Sequence, residues 1–395
     1  MDRRKTAVHF FCLLNYTIEG VSSLHFLSNI MQAVSSVRRF QFWSTTTVIS
    51  IYLLILVGGI VRATGSGMGC PDWPKCFGQW VPPTSVKELP ANYKQIYTAQ
   101  RVAKNKKLAS TLERLGFKQV AGDIFAHPTQ YVETDFNAVK TWIEYLNRLL
   151  GAIIGIAVFV TAVVAIPYWQ RDRILFWLAL ASWLLTGVQG WLGSLVVSTN
   201  LLPIMVTIHM GLALIIVAML LYATNRARRA EPNINSFNAP LPLSIPSGLQ
   251  LLLWLALLVT FGQIVLGTQV REQVDQIASR TAYMGRDSWI SQLGSVFKIH
   301  RSLSILVTLL NGYIVYLLWP VTGLHLRRLL VATLGILAVE LVAGITLAYL
   351  ALPAIAQPIH LTLATLLFGV QFLTLVTWRQ AASIVRLAPL RSAHA

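Results

Sequence analysis

Apolar runs long enough to cross a bilayer recur eight times along this chain, near residues 43–63, 148–168, 174–196, 204–223, 249–269, 301–320, 327–350 and 358–378. A crossing needs roughly 20 apolar residues. In hydrocarbon the backbone N–H and C=O groups meet no water, so each run must satisfy its own hydrogen bonds as a helix. The runs therefore predict an all-α, polytopic membrane protein of eight transmembrane helices. Composition agrees: 55% of residues are hydrophobic, only 12% are charged, and mean hydropathy is +0.60. A water-soluble domain would carry more charge.

The net charge of +17 would suit nucleic acid, but its placement argues against that partner. Arg38 and Arg39 precede the first run, Arg171 and Arg173 join the second to the third, and Arg226, Arg228 and Arg229 follow the fourth. Arg327 and Arg328 join the sixth to the seventh, and Arg379, Arg386 and Arg391 follow the last. The short connections at 197–203 and 351–357 have no Lys or Arg. This is the positive-inside asymmetry, and it puts both termini in the cytoplasm. The long segments 64–140 and 270–299 lie outside; long loops cross regardless of charge.

Eight spans divide into four plus four. Gly58-Gly59-Ile60-Val61-Arg62-Ala63-Thr64 and Gly262-Gln263-Ile264-Val265-Leu266-Gly267-Thr268 agree at four of seven positions. Ile208-His209 and Ile359-His360 open spans four and eight, Asn147-Arg148 and His300-Arg301 open spans two and six, and spans three and seven share Val188/Val342 and Gly190/Gly344. The order of these matches predicts a duplication into two pseudo-symmetric four-helix bundles. The expected divisions are a cytoplasmic extension 1–42, a first bundle 43–225 that includes the outer loop 64–140, a linker 226–248, a second bundle 249–379 and a cytoplasmic tail 380–395.

The repeat singles out Asn147, His209, His300 and His360, all at the starts of even-numbered spans and hence at one depth near the outer face. A polar side chain in a span is costly and marks function; the plainer reading of a single His is an interfacial hydrogen bond. Two imidazoles on neighbouring helices of one bundle suit axial ligation of heme iron. Zinc fits less well, since no third ligand accompanies His300 and His360. The halves differ: Asn147 replaces a histidine, and Glu144 lies one turn before it on the same face. Phe297 stands at the corresponding second-half position, so only the first half is expected to carry a carboxylate. These differences assign electron transfer or structure to the second half and catalysis to the first. Glu144 has an alternative reading as a helix-start carboxylate or a partner of Arg148. Arg62, Arg148, Arg271 and Arg301 are candidates for heme propionates, or else snorkelling anchors. Cys70 and Cys76 flank Pro71-Asp72-Trp73-Pro74-Lys75 in the outer loop, where they can form a structural disulfide or a reactive pair. Tyr93–Phe117 has helical periodicity with Lys104, Lys106 and Lys107 on its polar side, suited to capping the first half or meeting a partner. His127 lies in the same loop.

Together these residues resemble the heme A synthase family. The marks are Gly58-Gly59-x-Val61-Arg62-x-Thr64-x-Ser66-Gly67, Cys70-Pro71-Asp72-Trp73-Pro74-x-Cys76, Glu144-Tyr145-x-x-Arg148, His209, His300-Arg301 and His360-Leu361, and the resemblance covers about 43–378. It implies oxidation of the C8 methyl group of heme O to a formyl group by successive hydroxylations and loss of water. It also implies a heme b held by His300 and His360, a substrate heme O at His209, and Glu144 as the important carboxylate, expected here on physical grounds to be catalytic by moving protons or positioning water near the reacting methyl. Implied partners are heme O and heme A, a heme O synthase, terminal oxidase assembly factors, an unidentified electron donor, membrane lipids and a second copy of the chain. The expected location is the cell inner membrane. The chain departs from the family pattern at Asn147, and 270–299 lacks the second cysteine pair of some members. Rival readings are a diheme quinol oxidoreductase subunit, a thiol oxidoreductase centred on Cys70 and Cys76, and a secondary transporter.

Arg3, Arg4 and Lys5 ahead of a short apolar stretch at Phe10 to Leu14 resemble the start of a signal sequence without a convincing cleavage site; Cys12 lies within it. Met31 stands just before Arg38 and Arg39, where a start would leave a short basic lead. Residues 1–30 are therefore expected to be dispensable. A chain beginning at Met31 should insert as well as the full chain in a membrane-fractionation assay; loss of insertion contradicts that expectation.

Overall fold

A computed structural model describes residues 36–125, 133–199, 201–229, 248–281 and 284–392. The lead at Arg3 to Lys5, Met31, His127, most of the linker and residues 393–395 lie outside the described residues. The helices are α1 (Ser36–Ala63), α2 (Tyr93–Arg114), α3 (Lys118–Phe125), α4 (Ala138–Val164), α5 (Tyr168–Arg171), α6 (Arg173–Ser198), α7 (Pro203–Arg229), α8 (Leu249–Arg280), α9 (Ser295–Leu318), α10 (Leu324–Tyr349) and α11 (Ala356–Ser392). Eight of them, α1, α4 and α6 to α11, are long and apolar enough to cross a membrane. The protein is therefore a multi-pass membrane protein.

Helix ends depart from the hydropathy reading in a consistent way. The second span was expected from 148, but α4 begins at Ala138; the fifth was expected to end at 269, but α8 runs to Arg280. Hydropathy stops where charge begins, whereas the backbone ladder stops where a cap ends it. For α4 that cap is Asn137, whose side chain accepts the Lys140 N–H. The polar end of α8 continues because Val274, Ile277 and Ala278 pack under Trp289, Leu293 and Leu352. As a result Glu144, Arg148, Arg271 and Asp275 all sit on helices, with fixed directions.

Two main cores organise the spans. Val48, Ile51 and Ile55 of α1 pack with Ile154 and Val158 of α4 and Ile216, Val217 and Leu220 of α7, with Leu185 of α6 against them. Leu253 and Leu257 of α8 pack with Ile314 and Leu318 of α9, Leu330 of α10 and Phe368 and Leu375 of α11. Helix α7 joins both through Leu214. Helices α1 and α11 approach closely, since a Cβ on Gly59 would lie 2.9 Å from Pro358 Cβ. Successive crossings alternate, so the ends of α1, α6, α8 and α10 share one face with the starts of α4, α7, α9 and α11. This is the loop face, which also carries α2 and α3.

The loop between α1 and α4 is folded onto the bundle. Tyr93, Tyr97, Arg101, Asn105 and Ala109 form the buried stripe of α2 at a spacing of four, while Lys104, Lys106 and Lys107 are exposed. Tyr93 and Tyr97 pack against Phe77, and Asn105 Nδ2 donates to the Ser198 carbonyl at the end of α6 over 2.7 Å. Arg101 pairs with Glu133 at 2.8 Å with side chains only 2% and 4% exposed. Burial pushes the Glu133 carboxyl above the ordinary range against the pull of the Arg101 guanidinium. Removing one partner of such a pair strands the other at a cost of about 3–5 kcal/mol. Arg101→Ala should loosen α2 from the end of α6 and speed limited proteolysis of the loop, with the spans still protected. An unchanged cleavage rate would show that the pair does not hold the loop.

Candidate functional site

The histidines sit inside the helices, at the fifth to seventh residue from the starts of α7, α9 and α11 (His209, His300 and His360). They are held in a common manner. Gln189 Nε2 of α6 donates to the His209 carbonyl over 2.9 Å, and Gln263 Nε2 of α8 donates to the His300 carbonyl over 2.8 Å. A glycine of the neighbouring helix faces each ring. A Cβ on Gly193 would stand 3.7 Å from His209 Cε1, one on Gly267 3.3 Å from His300 Cε1, and one on Gly344 3.4 Å from His360 Cε1. For His300 and His360 the next nearest atom is Nδ1, at 3.9 Å in both cases, so the Nδ1–Cε1 edge lies against the glycine. Nε2 is thereby turned away from that helix.

The rings of His300 and His360 are brought together, 6.3 Å between centroids and 79° between planes. Two imidazoles bound across one metal ion, each nitrogen about 2 Å from it and about 1 Å from its ring centre, bring the centroids to about 6 Å. The Nδ1 atoms of His209, His300 and His360 are buried without hydrogen-bond partners. Among the described residues no three His, Cys, Asp or Glu side chains are arranged to hold a metal ion by themselves. The pair therefore suits an ion that brings its other ligands with it, as heme iron does. The residues present fit a heme.

Sequence reasoning left the second half without a carboxylate, and the structure corrects this. Glu340 of α10 has Oε1 3.1 Å from His360 Nδ1, with its side chain 14% exposed. Pairing Phe297 with Glu144 looked along the same helix as the histidine, whereas Glu340 comes from the helix beside it. A corrected register would have found it. The contacts put Gly193, not Gly190, opposite His209, and an offset of 151 then pairs Gln189 with Glu340, Gly193 with Gly344 and His209 with His360.

In the first half, Glu144 is buried under the disulfide loop. Cys70 and Cys76 are bonded to each other. Glu144 Oε2 accepts the Cys70 N–H over 2.8 Å and Oε1 pairs with Arg148. Arg148 also donates to the carbonyls of Asp72 (2.6 Å), Cys70 (3.0 Å) and Lys75 (3.2 Å). Asp72 accepts the Phe77 and Gly78 N–H groups. The Asn147 Oδ1 is buried without a hydrogen-bond partner. Arg62 donates to Asp275 Oδ2 over 3.0 Å and Arg271 meets Asp275 Oδ1 at 2.7 Å, so one carboxylate joins α1 to α8. Arg271 also bonds Gln357 of α11. Arg301 is exposed, its guanidinium 5.8 Å from the Phe297 ring centre.

A family model described as cytochrome oxidase assembly protein (COX15-CtaA) matches residues 41–372. Curated relatives are more distant. A heme A synthase of Shewanella oneidensis is 26% identical over 249 residues, 62% of this chain and 61% of that protein. One of Bradyrhizobium sp. is 26% identical over 241 residues, 58% of this chain and 56% of that protein. One of Beijerinckia indica is 24% identical over 368 residues, 84% of this chain and 90% of that protein. The chain thus spans about three-fifths of the length of the first two.

Hydrogen bonds to a charged group contribute about 1.5–3 kcal/mol each, so Arg148 is the anchor of the disulfide loop. Arg148→Ala should raise the rate at which a mild reductant opens Cys70–Cys76 by more than tenfold, read by thiol labelling. Arg301→Ala should leave it unchanged. Equal rates in the wild type and the Arg148 variant would remove the anchor.

Proposed function

Because the chain belongs to the COX15-CtaA family of cytochrome oxidase assembly proteins, we propose that it is a heme A synthase that oxidises the C8 methyl group of heme O to a formyl group. The observation that carries the reading is the His300–His360 pair, two imidazoles from α9 and α11 at the separation expected across one iron. In this reading the second half, 249–379, holds a heme b between them, and that heme supplies one-electron transfer. The first half, 43–225, receives heme O beside His209. The two halves are a duplication, supported by the shared offset of glutamine or glutamate, glycine and histidine.

His209 faces the substrate heme, and Asn147 in place of a second imidazole leaves that side without a nitrogen ligand. Glu144 acts as a positioning residue: its bonds to Cys70 N–H and Arg148 hold the disulfide-closed loop over the first half and keep water from the reacting methyl group. Arg148 is occupied by loop carbonyls and Arg62 and Arg271 by Asp275, so Arg301, exposed beside His300, is the arginine that suits a propionate. The basic residues at the face opposite the loop support the reading in which both termini are cytoplasmic and the histidines lie near the outer surface of the inner membrane. An electron donor, a heme O synthase and oxidase assembly factors are its expected partners, with a second copy of the chain as a further one.

The test is to identify hemes extracted from the purified protein. Co-expression with a heme O synthase should yield heme A, and His300→Ala with His360→Ala should remove the heme b. Glu144→Gln should cut the yield of heme A at least tenfold while heme b stays bound. A colourless wild-type protein, or pigment that survives both histidine changes, rules the reading out.

A further inference from the structure

Helix α10 contains one acid, Glu340, nine residues before its last residue, Tyr349. At about 1.5 Å per residue that is some 14 Å in from the loop-face end. An ionisable group this far along a span is costly and needs a partner and a reason. Its partner is the His360 ring: Oε1 lies 3.1 Å from Nδ1, an ion-pair contact at an angle outside hydrogen-bond geometry, and Oε2 is buried without a hydrogen bond. The other two histidines are treated differently. Gln189 and Gln263 each donate an amide N–H to the histidine backbone carbonyl. At the offset of 151, Gln189 occupies the position of Glu340. Of these three histidines, His360 alone has a carboxylate at its ring among the described residues.

A carboxylate beside Nδ1 attracts the proton to that nitrogen electrostatically and leaves the Nε2 lone pair free to ligate. It also raises the basicity of the ligating nitrogen, and a more basic axial ligand favours the oxidised metal. Gly344 leaves room for the Nδ1–Cε1 edge to lie close to α10, where any side chain would crowd the ring.

We propose that Glu340 is a positioning residue that fixes His360 as the Nδ1–H tautomer and makes it the stronger donor of the His300/His360 pair, lowering the reduction potential of the heme they hold. The proposal rests on the reading of these two histidines as axial ligands. It deepens that reading by giving the two ligands unequal strength.

The experiment is a potentiometric titration of the purified holoprotein, followed optically, for the wild type, Glu340→Gln and Glu340→Asp. Gln keeps the size and removes the charge; Asp keeps the charge. The expected result is a bis-imidazole spectrum in all three, with the potential of Glu340→Gln shifted upward and that of Glu340→Asp closer to the wild type. Selective loss of heme from Glu340→Gln, with retention in Glu340→Asp, supports the same role. An unchanged potential with an unchanged spectrum overturns the proposal, as does equal loss of heme from both variants, which marks the side chain as packing. A wild-type protein with no bis-imidazole spectrum would overturn the ligand reading itself, and this proposal with it.

Discussion

A polar group carried into hydrocarbon has to find its partner within the protein. The backbone meets that demand by coiling into eight helices, and the side chains meet it pairwise between helices. Thr47 of α1 bonds Thr161 of α4, Thr207 of α7 bonds Thr268 of α8, and Gln371 of α11 bonds Asn311 of α9. Among the described residues, the polar atoms that stay buried without a hydrogen bond include several where function is proposed (Asn147 Oδ1, Gln189 Oε1, Gln263 Oε1, Glu340 Oε2 and the Nδ1 atoms of three histidines), and others, such as Thr260 Oγ1 and Gln371 Oε1, lie elsewhere in the bundle. Groups left this way are costly unless something else completes them.

The loop face shows how extramembrane chain is coupled to such a site. The disulfide restrains a short ring of residues, but it is Glu144 and Arg148 that fasten that ring to α4. Further along, α2 is fastened by polar groups too, through Arg101, Glu133 and Asn105. A stripe built of Tyr, Arg and Asn looks like ordinary surface in any hydropathy profile. Asp275 works similarly at the seam, where a single carboxylate between Arg62 and Arg271 joins a helix of the first half to one of the second.

In the proposed duplication, the two halves use one arrangement with different side chains. The position beside the histidine is an amide in α6 and a carboxylate in α10, and the slot opposite is Asn147 in the first half and His300 in the second. Small changes at matched positions can thus separate a site that grips an iron from both sides from one that leaves a side open, with no change in the helices that carry them.

Several features were decided by the amino-acid sequence alone. The eight spans, their alternation, the shared depth of the histidines and the closeness of Cys70 to Cys76 follow from counting apolar residues and helix turns, since these depend only on distance along the chain. The tertiary structure decided what depends on the rotation of one helix about its axis relative to the next. That rotation put Glu340 at His360, Gly193 rather than Gly190 at His209, Asp275 between two arginines, and Glu144 under the Cys70 amide. Hydropathy cannot register such contacts, because they set the direction of a side chain without changing whether its helix crosses the membrane.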